Sequence, residues 1–325
     1  MTRLRIGVRV PCYRRWCRRE EARAIAQTAE ELGFDSLWVQ DHLVAPVGDD
    51  AELRVEQVDP WMDPASAARE PAQIKDYYAA DDWWLDPYVT WGFLAGVTER
   101  VQLASDIIVI PYRNPVVQAK MIGTLDVLSG GRMIVGTGTG HVQAESEAIG
   151  VPYEARGRAH DEGLRVIRAL LSKPEASFDG ELTSFGRVRS LIRPVQRPYP
   201  PIYVGGNAPR SIRRAVELGD GWLPTSPTPA GLERGVALLH EACERAGRAV
   251  PPTVGASIPG NLRFATPSLR AGRRPTTTVG EAIDLLTSYA EAGAEHVALG
   301  FAMPTADVYL EQIELFAAEV LPAVR

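Results

Sequence analysis

The sequence predicts one (β/α)8 barrel, the TIM-barrel fold of the α/β class, over residues 1–325. Apolar runs of strand length alternate with amphipathic runs of helix length, which is the pattern of parallel strands joined by crossover helices. About eight such units follow one another, and the composition does not change along the chain. A Rossmann-type domain followed by a second domain is the alternative, but the unbroken repetition favours a single barrel.

The first two predicted strands are apolar runs at residues 4–10 and 36–40. Between them, a helix from about residue 18 carries apolar residues at helical spacing and ends at Gly33, because glycine readily adopts the left-handed conformation that closes a helix. A polar excursion at residues 41–85 follows. It is longer than an ordinary connection, so we expect a lid or a subunit surface there.

The next two helices start with capping signals. Asp86 and Asn114 each precede a proline, which is the pattern of an N-cap residue with proline at the first helical position. Each helix leads to a short apolar run, so we expect strands at residues 101–107 and 133–137.

A glycine-rich loop lies at the end of the second of these strands. Glycines at alternate positions would let the backbone approach a flat or anionic ligand closely. They are Gly136, Gly138 and Gly140. The GxGxG spacing differs from the GxGxxG of a dinucleotide-binding loop, so this motif alone does not define the ligand.

The second half of the chain continues the alternation. A helix at about residues 155–171 precedes a Pro- and Arg-rich excursion at residues 172–201. The later candidate strands are residues 202–205, 221–223, 253–257 and 296–299. In a barrel of this kind, functional groups lie just after the strands, at the C-terminal face.

Composition and charge exclude several classes of protein. The net charge of −6 argues against a nucleic-acid partner. No apolar run approaches the roughly 18 residues of a membrane span, and the opening segment lacks the apolar region of a signal peptide, so we expect a cytoplasmic protein. Cys12, Cys17 and Cys243 show no CxxC spacing and no partnering His pattern, so we expect neither a disulfide framework nor a metal site.

Two positions at strand ends could carry chemistry. Asp41 and His42 directly follow the second predicted strand, where an acid and an imidazole can move a proton or hydrogen-bond a heteroaromatic ligand. A loop histidine bonded to nearby backbone is the alternative. Asp106 lies in an apolar strand, where a buried charge needs a partner. It either lines the mouth of the barrel or ends the strand pairing.

A glycine turn follows the strand predicted at residues 202–205 and precedes a helix. It contains Gly205, Gly206, Asn207, Ala208 and Pro209. Its N–H groups and the helix dipole would hold a phosphate. A tight turn that needs glycine only for its conformation is the alternative.

Aromatic residues cluster around the start of the helix that follows Asp86. They are Tyr77, Tyr78, Trp83, Trp84, Tyr88 and Trp91. Such a cluster could clamp a flat ligand, but a core or subunit interface is the more common role. We expect the arginines of the second excursion to form a solvated face, and they are Arg187, Arg189, Arg193 and Arg197.

Several segments, taken in order, resemble the bacterial luciferase-like family, in particular the branch that uses the deazaflavin coenzyme F-420. They are WVQDHL, DPYVTWGFLAGVTERVQLAS, IPYRNPVVQAKMIGTLDVLSGGRMIVGTGTG, EAIGVPYEARGRAHDE and PPIYVGGNAPRSIRRAVELGDGWLPTS. Together they cover most of residues 1–226. From residue 227 to residue 325 the match is mainly architectural.

The resemblance implies an oxidoreductase, usually a homodimer, that holds a flavin or deazaflavin at the strand ends. His42 matches the catalytic histidine, and Asp41 matches an acid that faces the cofactor. The bond between Asp106 and Ile107 matches a non-proline cis peptide that bulges against the ring. The other expected cofactor contacts are Thr139, Gly140, His141, Gly205, Gly206, Asn207 and Ala208, and Thr225 and Ser226 match a rim that can touch substrate. Apart from the resemblance, we expect the two excursions and three residues that the sequence places only roughly to set the choice of substrate. These residues are Trp222, Phe264 and Phe301.

The chain departs from the family pattern at three positions. Members that oxidise sugar phosphates carry a glutamate in place of His141 and a lysine in place of Thr228, so the resemblance argues against a sugar phosphate as substrate. Asp106 replaces a small residue, and a carboxylate beside the ring would disfavour an anionic reduced cofactor.

These observations lead to one hypothesis and two alternatives. We expect hydride transfer between coenzyme F-420 and a small organic molecule, with His42 as proton donor or acceptor. An FMN-dependent monooxygenase that uses dioxygen would have the same fold. A barrel that only binds a ligand is the third possibility.

Overall fold

The computed structural model describes residues 3–45, 83–258, 262–269 and 277–325. Eight parallel strands close into a barrel, as the sequence predicts, and helices cover its outside. The barrel strands are β1 Arg5–Arg9, β2 Ser36–Val39, β3 Gln102–Ser105 with β4 Ile108–Val109, β5 Met133–Gly138, β8 Ile202–Gly205, β9 Gly221–Leu223, β10 Thr253–Ser257 and β11 His296–Leu299. Strands β3 and β4 are the two parts of one barrel strand.

The helices lie between these strands in the chain. They are α1 Arg19–Glu31, α2 Pro87–Val97, α3 Pro115–Leu128, α4 Gln143–Ala148, α5 Arg156–Ser172, α6 Pro209–Leu218, α7 Pro229–Ala246, α8 Val279–Glu291, α9 Ala306–Glu319 and α10 Leu321–Val324. The capping predictions are confirmed: the side chains of Asp86 and Asn114 each accept backbone N–H bonds at the start of α2 and α3. These bonds satisfy donors that a helix leaves without internal partners.

The two excursions differ in what the structure shows. Most of residues 41–85 lie outside the described residues, and so do Tyr77 and Tyr78. Residues 172–201 contain an antiparallel hairpin of β6 Glu175–Asp179 and β7 Ser184–Arg189. Arg187 and Arg189 on the hairpin are highly exposed and pair with Glu175, in keeping with a solvated face.

Side-chain alternation divides the core into two layers. The outward side chains of the strands pack against the helices, and a smaller set fills the barrel itself. The residues of the inner set are Trp38, Ala104, Ile134, Tyr203, Leu223 and Ala298. Gly7 makes room for this filling, because a Cβ there would lie 2.1 Å from both Ser36 Oγ and Trp38 Nε1.

A buried polar cluster closes the N-terminal end of the barrel. Trp38 Nε1 donates to Ser36 Oγ at 2.7 Å, and Ser36 Oγ lies 2.7 Å from His296 Nε2. The Ser36 hydroxyl thus joins the indole of Trp38 to the imidazole of His296. Burial, and to a smaller extent the charge of Arg5, lower the pKa of His296 from 6.5 to about 3.

This depressed pKa predicts a loss of stability in acid. Above pH 6.5 both folded and unfolded His296 are neutral, whereas below it only the unfolded chain takes up the proton, so unfolding becomes easier by up to about 1.4 kcal/mol per pH unit as the pH falls towards 3. We expect His296→Gln to flatten the fall of the unfolding free energy between pH 6.5 and pH 4.5. Urea titrations at each pH measure this slope.

The exposed His240 on α7 provides the matched control. His240→Gln should leave the slope as it is in the parent, because an exposed imidazole loses little solvation on folding. Equal slopes in the parent and in His296→Gln would contradict the assignment of a neutral buried imidazole.

Candidate active site

The C-terminal ends of the strands bring the predicted functional residues to one mouth. Asp41 and His42 follow β2, and residues 139–141 follow β5. The turn at residues 205–208 ends β8, and Thr225 lies just beyond β9. Parallel strands place all these ends at the same face of the barrel.

His42 is held by a residue that sequence reasoning missed. Its Nδ1 lies 2.9 Å from Glu145 Oε2, and the imidazole side chain is 11% exposed. Glu145 lies in the first turn of α4 and its side chain is fully buried. The only signal in the sequence is an acidic residue soon after the glycine loop, and nothing in that pattern indicates its partner.

Glu145 accepts two further hydrogen bonds. Tyr112 Oη donates to Oε2 at 2.6 Å, and the Leu43 backbone N–H donates to Oε1 at 2.5 Å. Burial raises the pKa of Glu145, but the hydrogen bonds it accepts, that from His42 first, outweigh this and bring the pKa below its usual value. The group beside His42 is therefore a carboxylate.

Aromatic rings line the same side of the mouth. The Trp84 ring meets the edge of His42 at a centroid distance of 4.5 Å, and the His141 ring lies 5.6 Å from it. Tyr88 and Trp91 are buried in the main core, which agrees with a core role for this part of the aromatic cluster. Among the described members of that cluster, Trp84 is the one that contacts the predicted site.

The structure gives the carboxylate of Asp41 several partners within the protein. Its carboxylate forms a bidentate ion pair with Arg113, at 2.7 and 3.0 Å, and also accepts the Val109 N–H at 3.0 Å. The side chain has no exposed surface. Asp41 thus joins the end of β2 to β4 and to the start of α3.

The cis peptide between Asp106 and Ile107 is confirmed. The Asp106 carboxylate is paired within the protein, because it accepts Arg9 Nε at 2.6 Å and the Ser257 hydroxyl at 3.0 Å and is 1% exposed. Burial raises the pKa of Asp106, and the Arg9 guanidinium opposes this shift. The positive charge of Arg9 also offsets the Coulomb repulsion that we expected between Asp106 and an anionic ring.

Two of the three glycines in the glycine-rich loop make room for packing inside the protein. A Cβ on Gly136 would lie 1.9 Å from Ser105 O, and one on Gly138 would lie 2.2 Å from Ile107 Cδ1. These two glycines therefore accommodate the protein's own backbone and side chains. Gly140 is the one that needs glycine for its conformation, with φ at +79°.

The turn after β8 has the geometry of an anion site. Gly206 has φ at +113°, and Ala208 is the N-cap of α6, whose dipole directs its positive end to the turn. The side-chain amide of Asn207 ties the turn to β9, because it donates to Thr225 O at 2.9 Å and accepts the Thr225 N–H at 2.8 Å. Asn207 thus offers a ligand its backbone rather than its side chain.

The predicted substrate contacts separate into two groups. Thr225 is exposed at the rim, and Ser226 beside it is half-buried. Trp222 is fully buried in the layer between strands and helices, where its Nε1 donates to Gly206 O at 3.0 Å. Phe264 and Phe301 are also buried in the core. Trp222 therefore lies behind its strand rather than at the rim, and the sequence places Phe264 and Phe301 only roughly.

The residues present fit a cofactor that carries a phosphate and a flat ring. The turn that ends at Ala208 lies at the N-terminal end of α6, where backbone N–H groups and the helix dipole suit a phosphate. A Cβ on Gly206 would lie 2.5 Å from Ser211 Oγ, and one on Gly140 would lie 2.9 Å from Val109 Cγ1, so both glycines let the backbone at the strand ends pack closely. The phosphate and ring contacts predicted from the sequence are thus compatible with this geometry.

The chain belongs to the luciferase-like monooxygenase family, whose model matches residues 17–260. An uncharacterized protein of Mycobacterium tuberculosis (strain ATCC 25618 / H37Rv) is 30% identical over 299 residues, which cover 91% of this chain and 93% of the relative. Members of the family are oxidoreductases or monooxygenases, so the protein is an enzyme of that general kind.

Two solved structures illustrate the range of cofactors on this fold. An F420-dependent secondary alcohol dehydrogenase in complex with an F420-acetone adduct has a TM-score of 0.76 and 21% identity, and the match covers 100% of both chains. The oxygenating constituent of 3,6-diketocamphane monooxygenase from Pseudomonas putida, in complex with FMN, has a TM-score of 0.71 and 16% identity over 99% of this chain and 98% of the other. At these identities the likeness shows the fold alone.

The described residues lack two features that would indicate other kinds of protein, a membrane-spanning helix and a cluster of metal-binding side chains. In that part of the chain, no helix has both the length and the apolar character needed to cross a membrane. The same residues contain no group of three or more His, Cys, Asp or Glu side chains that could hold a metal ion.

Proposed function

We propose that this protein binds coenzyme F-420 and transfers hydride between the deazaflavin and a small organic substrate. The observation that carries the proposal is an imidazole, His42, held at the barrel mouth by a buried carboxylate. Hydride transfer to or from a carbon that bears oxygen needs a group that handles the oxygen's proton, and a positioned histidine suits this task near neutral pH.

The protein's part in the reaction is proton transfer and orientation. Bound deazaflavin would supply the chemistry of a two-electron hydride carrier. When a substrate alcohol is oxidised, His42 Nε2 takes the hydroxyl proton as the hydride leaves the carbon. In the reverse direction the imidazolium returns that proton to the carbonyl oxygen. The aromatic edge of Trp84 and the buried Tyr112 keep water from one side of the imidazole.

Binding and oxygen measurements test the proposal. We expect the purified apoprotein to bind deazaflavin at least about ten times more tightly than FMN, a difference of about 1.4 kcal/mol. Turnover should not consume dioxygen, because deazaflavin does not activate oxygen in the way that reduced FMN does. Tighter binding of FMN together with substrate-dependent oxygen uptake would replace this proposal with the monooxygenase alternative.

The phosphate assignment leads to a separate prediction at Ala208. Its φ of −67° and ψ of 150° suit proline, so Ala208→Pro removes one backbone N–H without forcing a new conformation there. A hydrogen bond to a charged group contributes about 1.5–3 kcal/mol, so we expect cofactor affinity to fall roughly 10- to 100-fold. Ala208→Ser keeps the N–H and is the control. Equal affinity of all three proteins for the intact cofactor would contradict a phosphate at this turn.

We include in the proposal a homodimer, which the family resemblance suggests, and a cytoplasmic location, which the sequence predicts. Light scattering across a range of protein concentrations measures the assembly directly. A protein that is monomeric at micromolar concentration would contradict the proposed homodimer.

A further inference from the structure

We propose that Glu145 is a positioning residue, which fixes the proton of neutral His42 on Nδ1 and increases the affinity of Nε2 for a second proton. The catalytic meaning of this inference rests on the proposed function. Its physical basis does not, since it can be measured in the ligand-free protein.

The geometry around Glu145 supports the inference. A carboxylate only accepts hydrogen bonds, so the 2.9 Å contact requires a hydrogen on His42 Nδ1. The neutral imidazole then has its lone pair on Nε2, which is the atom that exchanges a proton with a ligand. Because Glu145 is fully buried, water screens its charge little, and the imidazolium formed by protonation is stabilised.

Several other groups lie near the ring. The neighbouring carboxylate of Asp41 is paired with Arg113, so it adds little net charge. His141 would repel an imidazolium only when it is itself protonated. The Tyr112 hydroxyl donates to the same oxygen, Glu145 Oε2, that His42 contacts. Glu145 is thus the carboxylate that acts on the His42 ring through a direct hydrogen bond.

The shared oxygen gives two substitutions with opposite expected effects. Glu145→Gln keeps the size of the side chain and an oxygen that can accept from Nδ1 but removes the charge, so His42 should lose its proton at a lower pH. Tyr112→Phe keeps the carboxylate and removes a competing donor to Oε2, so His42 should lose its proton at a higher pH. A loss of rigidity alone would move both variants in the same direction.

Histidine-selective NMR titrations of the ligand-free protein measure these shifts, with the His42 signal assigned by its loss in His42→Gln. We expect the titration midpoint to fall by about one pH unit or more in Glu145→Gln, which corresponds to at least a tenfold lower proton affinity, and to rise by a few tenths in Tyr112→Phe. Unchanged midpoints, or shifts of the same sign in both variants, would overturn the inference. If Glu145→Gln fails to fold, the titration midpoint of His42 in Tyr112→Phe still tests the inference: a rise supports it, and no rise contradicts it.

The same variants separate this inference from the proposed function. If the deazaflavin reaction occurs, the limb of the pH–kcat profile that reports His42 should move with the NMR midpoint in each variant, and KM should change less than kcat. If no deazaflavin reaction occurs but the two midpoints shift in opposite directions, the positioning role stands and the proposed reaction falls.

Discussion

Replacing His42 by alanine should lower turnover by about 100-fold or more while the protein stays folded and still binds its cofactor. The imidazole is the proton-carrying group that Glu145 holds at the mouth, so its loss removes general acid or base catalysis. Stability should change little, because Glu145 keeps its hydrogen bonds from Tyr112 and from the Leu43 N–H. Single-turnover rates at saturating cofactor measure the effect on the chemical step.

A second histidine provides the control for this substitution. His240→Ala alters an exposed imidazole on α7, away from the strand ends, and should leave turnover at the parent level. Partial recovery of His42→Ala by added imidazole would show that the missing group is a proton carrier. Parent-like hydride transfer in His42→Ala would remove His42 from the mechanism.

The sequence was sufficient for the fold because its signals are local. Strand and helix positions follow from the spacing of apolar residues, and the helix starts at Asp86 and Asn114 follow from capping chemistry. The sequence predicts one continuous strand at residues 101–107, but in the structure this strand is interrupted at Asp106 and Ile107. Spacing alone does not indicate such a break, and the family resemblance was needed to expect it.

The electrostatic partners could not be predicted, because they lie far apart in the chain. Glu145 is 103 residues from His42, and Asp106 is 97 residues from Arg9. The sequence shows that a buried carboxylate needs a partner, but only the barrel's closure determines which strand supplies it.

Trp222 illustrates a limit of strand alternation. Strand β9 has three residues, with Trp222 between Gly221 and Leu223, and so short a run does not establish which side chains point into the barrel. The structure places Leu223 inside and Trp222 against the helices, where Gly235 of α7 leaves room for the indole.

The ion pair between Arg9 and Asp106 should contribute strongly to stability at the mouth. Both side chains are nearly buried, 10% and 1% exposed, so Asp106→Asn removes the negative charge beside the Arg9 guanidinium in a place that water hardly reaches. Breaking a buried pair in this way costs about 3–5 kcal/mol of unfolding free energy. Denaturant titrations of the parent and the variant, at a pH above 6.5 where His296 does not contribute, measure the loss.

Two further variants show whether the remaining guanidinium causes this loss. Ser257→Ala keeps the ion pair but removes the hydroxyl that donates to the same carboxylate oxygen at 3.0 Å and accepts from Arg9 Nη2 at 2.6 Å, and it should cost about 1–3 kcal/mol. Adding Arg9→Gln to Asp106→Asn removes the positive charge as well, so the double variant should be more stable than Asp106→Asn alone. If Asp106→Asn instead unfolds at the same denaturant concentration as the parent, the ion pair adds nothing to the stability of the protein.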